Sequence, residues 1–276
     1  MIKIGQYNTL RISKFVDYGL YLDDEDGGEI LLPRKYIPKD VDVDDSIRVF
    51  IYADSDDTLI ATTLKPLACV GEAAYLCVAA VNNVGAFLDW GLAKDILVPF
   101  AEQHKKMEVG RSYIVYLYLD KYADRIVASS KINKFIEDEA DCYKEKQPVD
   151  LMIAGKTELG YKAIINNTHF GVLYESDVFQ KLSFGQKING FIKTIREDNK
   201  VDLTLQLSDK NTRNSLTDKI LDHLKNNNGE SPLTDKSKPE DIYEQFSVSK
   251  SNYKKALGGL YKKRLITISK DKIQLV

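Results

Sequence analysis

Phe87 and Trp90 stand three residues apart in Val84-Gly85-Ala86-Phe87-Leu88-Asp89-Trp90-Gly91. The stretch alternates like a β-strand and is opened and closed by glycine. Small residues beside the two rings leave the backbone accessible and flat π surfaces on offer, which suits stacking on unpaired bases. A second set lies far downstream, where Lys250, Lys254, Lys255, Lys262, Lys263 and Arg264 crowd one helical stretch and its end. Cations fixed there could hold phosphates, although basic residues on a helix are usually only a solvated face. Groups that make and break bonds are not assembled in this way. Cys69, Cys77 and Cys142 are odd in number and far apart, and His104, His169 and His223 are equally scattered. Neither a zinc site nor a Cys–His nucleophile is expected from such spacing. No Ser/His/Asp set, phosphate loop or metal cluster stands out, so the expectation is a non-enzyme without cofactor or metal.

The strand that carries Phe87 recurs. Tyr18-Gly19-Leu20-Tyr21-Leu22-Asp23 lies upstream and Leu159-Gly160-Tyr161-Lys162-Ala163-Ile164 downstream. Each motif glycine is followed 14 residues later by the end of a short apolar run, at Pro33, Pro99 and Tyr174. Two more strands follow each time: Ile47–Tyr52 and Leu59–Thr62, Tyr113–Leu119 and Ile126–Ser129, Ile188–Ile195 and Val201–Leu205. A three-fold repeat at roughly 70-residue spacing is a fold-level signal. It predicts a mainly β chain of three small five-stranded barrels over 1–64, 65–143 and 144–207, with a different domain over 208–276. Asp23-Asp24-Glu25-Asp26-Gly27-Gly28 reads as a solvated hairpin tip, because the spacing of a calcium loop is absent. Phe100–Met107 is expected to be a short helix between the third and fourth strands of the second barrel. Ile132–Gln147, rich in Lys and Glu with Phe135, Ile136 and Tyr143 as apolar anchors, reads as a helical linker.

The last segment changes period. Leu216, Ile220 and Leu224 share a helical face that Asn226-Asn227-Asn228-Gly229 ends. Ser237-Lys238-Pro239-Glu240 has the spacing of a capping box and starts a helix through Phe246. After the turn Ser247-Val248-Ser249 comes a third helix, with Tyr253, Leu257, Leu260 and Tyr261 inward and the basic residues outward. Leu265–Ile268 and Ile273–Val276 form a hairpin. Three helices and a β-wing predict an α+β winged helix.

Charge is polarised along the chain although the total is only −2. Residues 1–64 are net −6 and residues 208–276 net +5, so a phosphate backbone meets least repulsion toward the C-terminal end. No apolar run approaches a membrane span, Met1-Ile2-Lys3-Ile4-Gly5 does not open a secretory leader, and three unpaired cysteines fit a reducing cytoplasm.

Val84–Gly91 resembles the second-to-third strand signature of the ribosomal S1-type RNA-binding domain, a five-stranded OB-fold barrel. That signature runs aromatic-Gly-Ala-Phe-Val-Asp-aromatic-Gly-Gly, followed by Gly-Leu-Val-His; here Val84 takes the first aromatic position and Pro99 the His position. The resemblance implies that Phe87 and Trp90 stack on RNA. It also implies that Asp120 and Arg125, bracketing the last hairpin, are the polar pair that contacts the nucleotide. Tyr18 and Tyr21 fill the two aromatic positions of the first repeat, although the acidity around them would repel phosphate and suits a structural or protein-binding barrel. In the third repeat Lys162 stands at the stacking Phe, Leu159 at the other aromatic and Tyr174 at the His position, with Arg196 and Lys200 in the last hairpin. Stacking gives way there to phosphate contact.

Three such barrels followed by a winged helix resemble the conserved virulence factor B family of bacterial RNA-binding proteins. Asp235-Lys236-Ser237-Lys238-Pro239-Glu240-Asp241-Ile242-Tyr243 and Lys254-Lys255-Ala256-Leu257-Gly258-Gly259-Leu260-Tyr261-Lys262 look like that family's C-terminal signature. The resemblance implies a cytoplasmic regulator that acts post-transcriptionally on single-stranded RNA, with ribosome-associated RNA and duplex DNA as further candidate partners. The alternative is a DNA-binding transcriptional regulator, with helix Lys250–Arg264 in a major groove and the barrels as sensors. S1-type barrels are often appended to nucleases, but no segment of this chain remains for a separate nuclease domain.

Overall fold

Every barrel begins with a strand long enough to serve two partners. In a computed structural model, which describes residues 2–23, 27–120, 125–140, 142–178, 181–207 and 210–276, β1 spans Tyr7–Val16. Its first half, Tyr7–Arg11, pairs with β4 (Ser46–Ala53), and its second half, Ile12–Val16, with β2 (Gly19–Asp23). A bulge between Ile12 and Lys14 bends the strand between the two pairings. Such a bend is what closes a small sheet on itself. β3 (Glu29–Pro33) pairs antiparallel with β2 and parallel with β5 (Leu59–Thr62), which completes the ring in the order β1-β2-β3-β5-β4.

The same plan is built twice more. The second barrel comprises β6 (Ala73–Val81), β7 (Gly85–Asp89), β8 (Ile96–Pro99), β9 (Ser112–Asp120) and β10 (Arg125–Ser129). The third comprises β11 (Pro148–Thr157), β12 (Gly160–Ile165), β13 (His169–Tyr174), β14 (Lys187–Ile195) and β15 (Val201–Thr204). Their first strands carry the equivalent bulges, between Val78 and Ala80 and between Ile153 and Gly155. Alternation along the strands sends Ile12, Leu20, Leu22, Leu32, Val49 and Ile51 into the first barrel, all with no exposed surface. The acidic tip at 24–26 lies outside the described residues.

The first two barrels do not have wholly separate interiors. Phe50 and Tyr52 of β4 join Trp90, Leu92 and Met107 in the apolar cluster of the second barrel. Backbone bonds stitch the join: Val70 N donates to Gly5 O at 2.9 Å and Leu67 N to Trp90 O at 2.8 Å. The third barrel has a core of its own, which includes Ala140 and Tyr143. The chain accordingly forms two compact units, Met1–Phe135 and Ile136–Val276.

Two expected helices are absent. Phe100–Met107 contains only a 3-10 turn, Phe100–Glu102. Gln103 is the reason: its Nε2 donates to Val98 O at 3.0 Å and its Oε1 accepts from Met107 N at 3.1 Å. That pins a loop under which Met107 is buried. Among the described residues of Ile132–Gln147 the one helical turn is Ile132–Lys134, again 3-10. Phe135 stacks on Tyr116 at 4.6 Å, whereas Tyr143 enters the core of the third barrel. Anchors bound for two cores do not share the single face a helix would give them.

The C-terminal region is α1 (Lys210–Asn226), β16 (Glu230–Ser231), α2 (Pro239–Phe246), α3 (Lys250–Lys262), β17 (Ile266–Ile268) and β18 (Ile273–Leu275), with sheet order β16-β18-β17. Leu216, Ile220 and Leu224 of α1 meet Ile242, Phe246, Tyr253, Ala256, Leu257 and Leu260 in one core. Tyr261, expected inside, is 57% exposed, and Ala256 takes the inward place. The capping box is not formed: α2 starts at Pro239, so its N-cap falls on Lys238, one residue beyond Ser237, with no side-chain bond. Ser237 Oγ instead accepts from Thr234 N at 2.8 Å. α3 does have a side-chain cap, Ser249 Oγ accepting from Asn252 N at 3.2 Å. Gln206 of the third barrel donates to Ser247 O at 2.9 Å beside that cap.

Candidate nucleic-acid interface

The 14-residue interval is a hydrogen-bonded register. Gly19 lies opposite Pro33, Gly85 opposite Pro99 and Gly160 opposite Tyr174. A Cβ on these glycines would stand 2.3 Å from Leu32 O, 2.3 Å from Val98 O and 2.1 Å from Leu173 O. No side chain fits so close to a carbonyl, which is why glycine occurs at all three points. The glycine then sets the positions around it. The preceding residues, Tyr18, Val84 and Leu159, are 58%, 49% and 58% exposed. Two residues on, Tyr21, Phe87 and Lys162 are each half-buried. One barrel face therefore presents an aromatic, an aromatic or a cation on the same backbone.

In the first barrel the Tyr18 and Tyr21 rings meet edge to face at 6.4 Å with their hydroxyls 3.0 Å apart. Lys14 Nζ lies 4.9 Å from the Tyr21 ring centroid and is held by Glu29 at 2.7 Å. This is an aromatic platform with its cation already neutralised.

In the second barrel Phe87 lines a cavity of ≈ 310 Å³ together with Val84, Trp90, Lys94 and Arg125, and with Tyr52 and Asp57 from the first barrel. Arg125 and Asp120 are cross-strand neighbours at the ends of β9 and β10; the hairpin tip between them lies outside the described residues. The Arg125 guanidinium is paired with the Asp57 carboxylate. Asp95, also lining the cavity, is pushed up from its ordinary value by burial and by Asp89.

Trp90 is not a stacking platform. It is 3% exposed, edge-on to Phe50 at 5.7 Å and Tyr52 at 6.3 Å, with Nε1 donating to Lys94 O at 2.6 Å. The physical reason is that β7 ends at Asp89, so the indole turns into the join between barrels, where its large apolar surface is covered. Burial there, with Tyr36 and Asp54 nearby, pushes the Tyr52 phenol up to about 12.

The third barrel replaces the ring by charge. Lys162 Nζ sits 3.4 Å from the Phe170 ring centroid and 3.3 Å from Asp138. Arg196 donates through Nη2 to Tyr174 OH at 2.8 Å, and through Nε and Nη2 to Asp202 Oδ1 at 2.8 and 2.5 Å. The Asp202 bond raises the guanidinium above its ordinary value. Lys193 lies 5.6 Å from the Tyr174 ring and bonds Asp177 at 2.6 Å. Lys200 is on the hairpin beyond, beside Asp198 at 3.2 Å. Lys193 and Asp202 were not singled out from the sequence; their signal is position, three residues before and six after Arg196. Asp57 of the first barrel and Lys94 of the second, which meet at this cavity, have no such signal.

On the winged helix Lys254, Lys255, Lys262, Lys263 and Arg264 are exposed and Lys250 half-buried. Among the described residues none of the six makes an ion pair, in contrast to the basic residues of the barrel faces. Arg264 ends α3 in the left-handed region at φ 57°. Its N–H donates to Tyr261 O at 2.9 Å while Leu265 N donates to Leu260 O at 3.1 Å, the paired bonds of a Schellman ending where glycine is usual.

These features coincide with known domain families. The S1 domain matches residues 4–64 and 70–131, the first two barrels, and the CvfB-like winged helix domain matches residues 218–275. The chain belongs to the CvfB-like family. Conserved virulence factor B of Staphylococcus saprophyticus is 26% identical over 99% of this chain and 94% of its own length. The uncharacterized protein YitL of Bacillus subtilis is 29% identical over 94% of this chain and 89% of its own. A crystal structure of a multidomain protein with nucleic acid binding domains from Streptococcus pneumoniae aligns over 99% of this chain and 98% of that one, at 24% identity and a TM-score of 0.43. As a family member with S1 and winged-helix domains, this chain is a nucleic-acid-binding protein. Among the described residues no group of three His, Cys, Asp or Glu could hold a metal, and no helix is long and apolar enough to cross a membrane.

Proposed function

We propose that the chain binds single-stranded RNA and regulates gene expression after transcription. The observation that carries this reading is the barrel face repeated three times around a sterically required glycine. A closed barrel offering single rings and cations suits unstacked bases and a flexible backbone better than a rigid duplex. The lysines of α3 add sequence-independent phosphate contacts. Competition decides it: labelled single-stranded RNA bound to the intact chain should be displaced by unlabelled RNA far more readily than by duplex DNA of the same length. Preferential displacement by duplex DNA would instead support a transcriptional regulator that docks α3 in a major groove. Intact RNA after incubation with magnesium or manganese is the expected companion result.

A further inference from the structure

The β4–β5 hairpin of the first barrel carries three aspartates in Asp54-Ser55-Asp56-Asp57. They are used differently. The Asp54 carboxylate is spent on the turn itself, accepting from Asp56 N at 2.9 Å and Thr58 N at 3.0 Å. Asp57 N closes the tip on Asp54 O at 3.2 Å, which leaves the Asp57 side chain pointed outward with φ at 59°. That side chain reaches the second barrel, where it pairs with Arg125 and lies 3.4 Å from Lys94 Nζ. Lys94 is tied to the same hairpin by a second bond, Nζ to Asp54 O. Both cations rim the cavity that Phe87 lines.

We propose that this hairpin is a built-in competitor for the face of the second barrel. The Asp57 carboxylate occupies the cations that an RNA phosphate would need, so a strand reaches Phe87 only by displacing it. The inference rests on reading that face as a nucleic-acid site. Carboxylate and phosphate are both oxyanions matched to the same guanidinium fork, so they exclude each other. The contact is also weak enough to yield. The side chains of Arg125 and Asp57 are 58% and 41% exposed, and a pair so exposed shifts an equilibrium by no more than about fivefold. The second barrel is thereby held for strands bound strongly enough elsewhere on the chain to pay for the exchange.

The test uses the intact chain with the charge removed and the turn kept. Asn and Gly both tolerate positive φ, so Asp57→Asn removes the charge and Asp57→Gly the whole side chain without straining the tip. Binding of a labelled single-stranded oligonucleotide is measured over a salt series, with melting temperature as the control for folding. Both variants should tighten binding by up to about fivefold at low salt. They should steepen the log–log salt slope by about 0.7 for each cation released. The gain should vanish when Lys94→Ala and Arg125→Ala are present as well. If the parent binds RNA but neither variant binds more tightly, or if the gain survives loss of both cations, the competitor is refuted while RNA binding stands. If neither parent nor variants bind single-stranded RNA, both readings fall.

Discussion

The second and third barrels share a backbone and differ in what they hang on it. Gly85 and Gly160 meet the facing strand at the same carbonyl, and Phe87 and Lys162 follow two residues later at the same depth. Beyond that they diverge. Arg125 takes its counter-ion from the neighbouring barrel, while Arg196 takes Asp202 and Tyr174 from its own. Steric contact between strands thus fixes where a functional side chain stands, and leaves open both its chemistry and the source of its partner. One face is a ring-lined cavity whose cation depends on the neighbouring barrel; the other is a self-contained cluster of charge.

Trp90→Ala is the strongest way to break that comparison. Removing the shared ring should cost the first unit about 3–5 kcal/mol of stability and leave the unfolding of the second unit in place. Equal loss in both units, followed by urea unfolding of the intact chain, would contradict the separation of their cores. Phe87→Ala comes next. Loss of one stacking partner should weaken single-stranded RNA by about 1–3 kcal/mol with little change in melting temperature. The matching Lys162→Ala should act mainly at low salt, so titrations at two ionic strengths sharpen the contrast between stacking and charge.

A smaller effect is expected from Lys254→Ala with Lys255→Ala. Two lost phosphate contacts should flatten the salt slope by about 1.4 and weaken all RNAs alike. A loss confined to one sequence would mean that α3 reads bases. The smallest effect concerns acid stability. Burial pushes Glu102 up, but hydrogen bonds from Lys134 and Ser129 outweigh it and leave the carboxyl below its ordinary value. A lowered folded pKa means stability that is present above the unfolded value and lost as pH falls through the folded one. Glu102→Gln should therefore flatten the acid limb of the first unit's stability curve by under about 1 kcal/mol.

The parts legible in the sequence are those set by contacts at fixed spacing. The 14-residue interval was readable because it is a register with one steric requirement, and the bulged first strands follow the same repeat. Trp90 was misplaced because strand alternation says which side a residue leaves by, not which neighbour covers it. Phe100–Met107 and Ile132–Gln147 have helical composition, yet Gln103 and the divided anchors Phe135 and Tyr143 overrule it. The capping box failed by one residue, since Pro239 sets the first turn. Asp57 was invisible for a simpler reason: an acidic hairpin reads as its own turn, and nothing in its sequence names the arginine 68 residues away.

Arg264 closes α3 in a conformation that costs a residue with a side chain about 1–2 kcal/mol, at a position where glycine would cost almost nothing. Arg264→Gly should therefore raise the melting temperature and weaken nucleic-acid binding together. On the proposed phosphate-binding role of this helix end, thermal resistance and affinity pull in opposite directions at this residue. A screen of variants for heat tolerance alone would favour glycine there, and would discard the cation that the proposed phosphate-binding role of this helix end calls for.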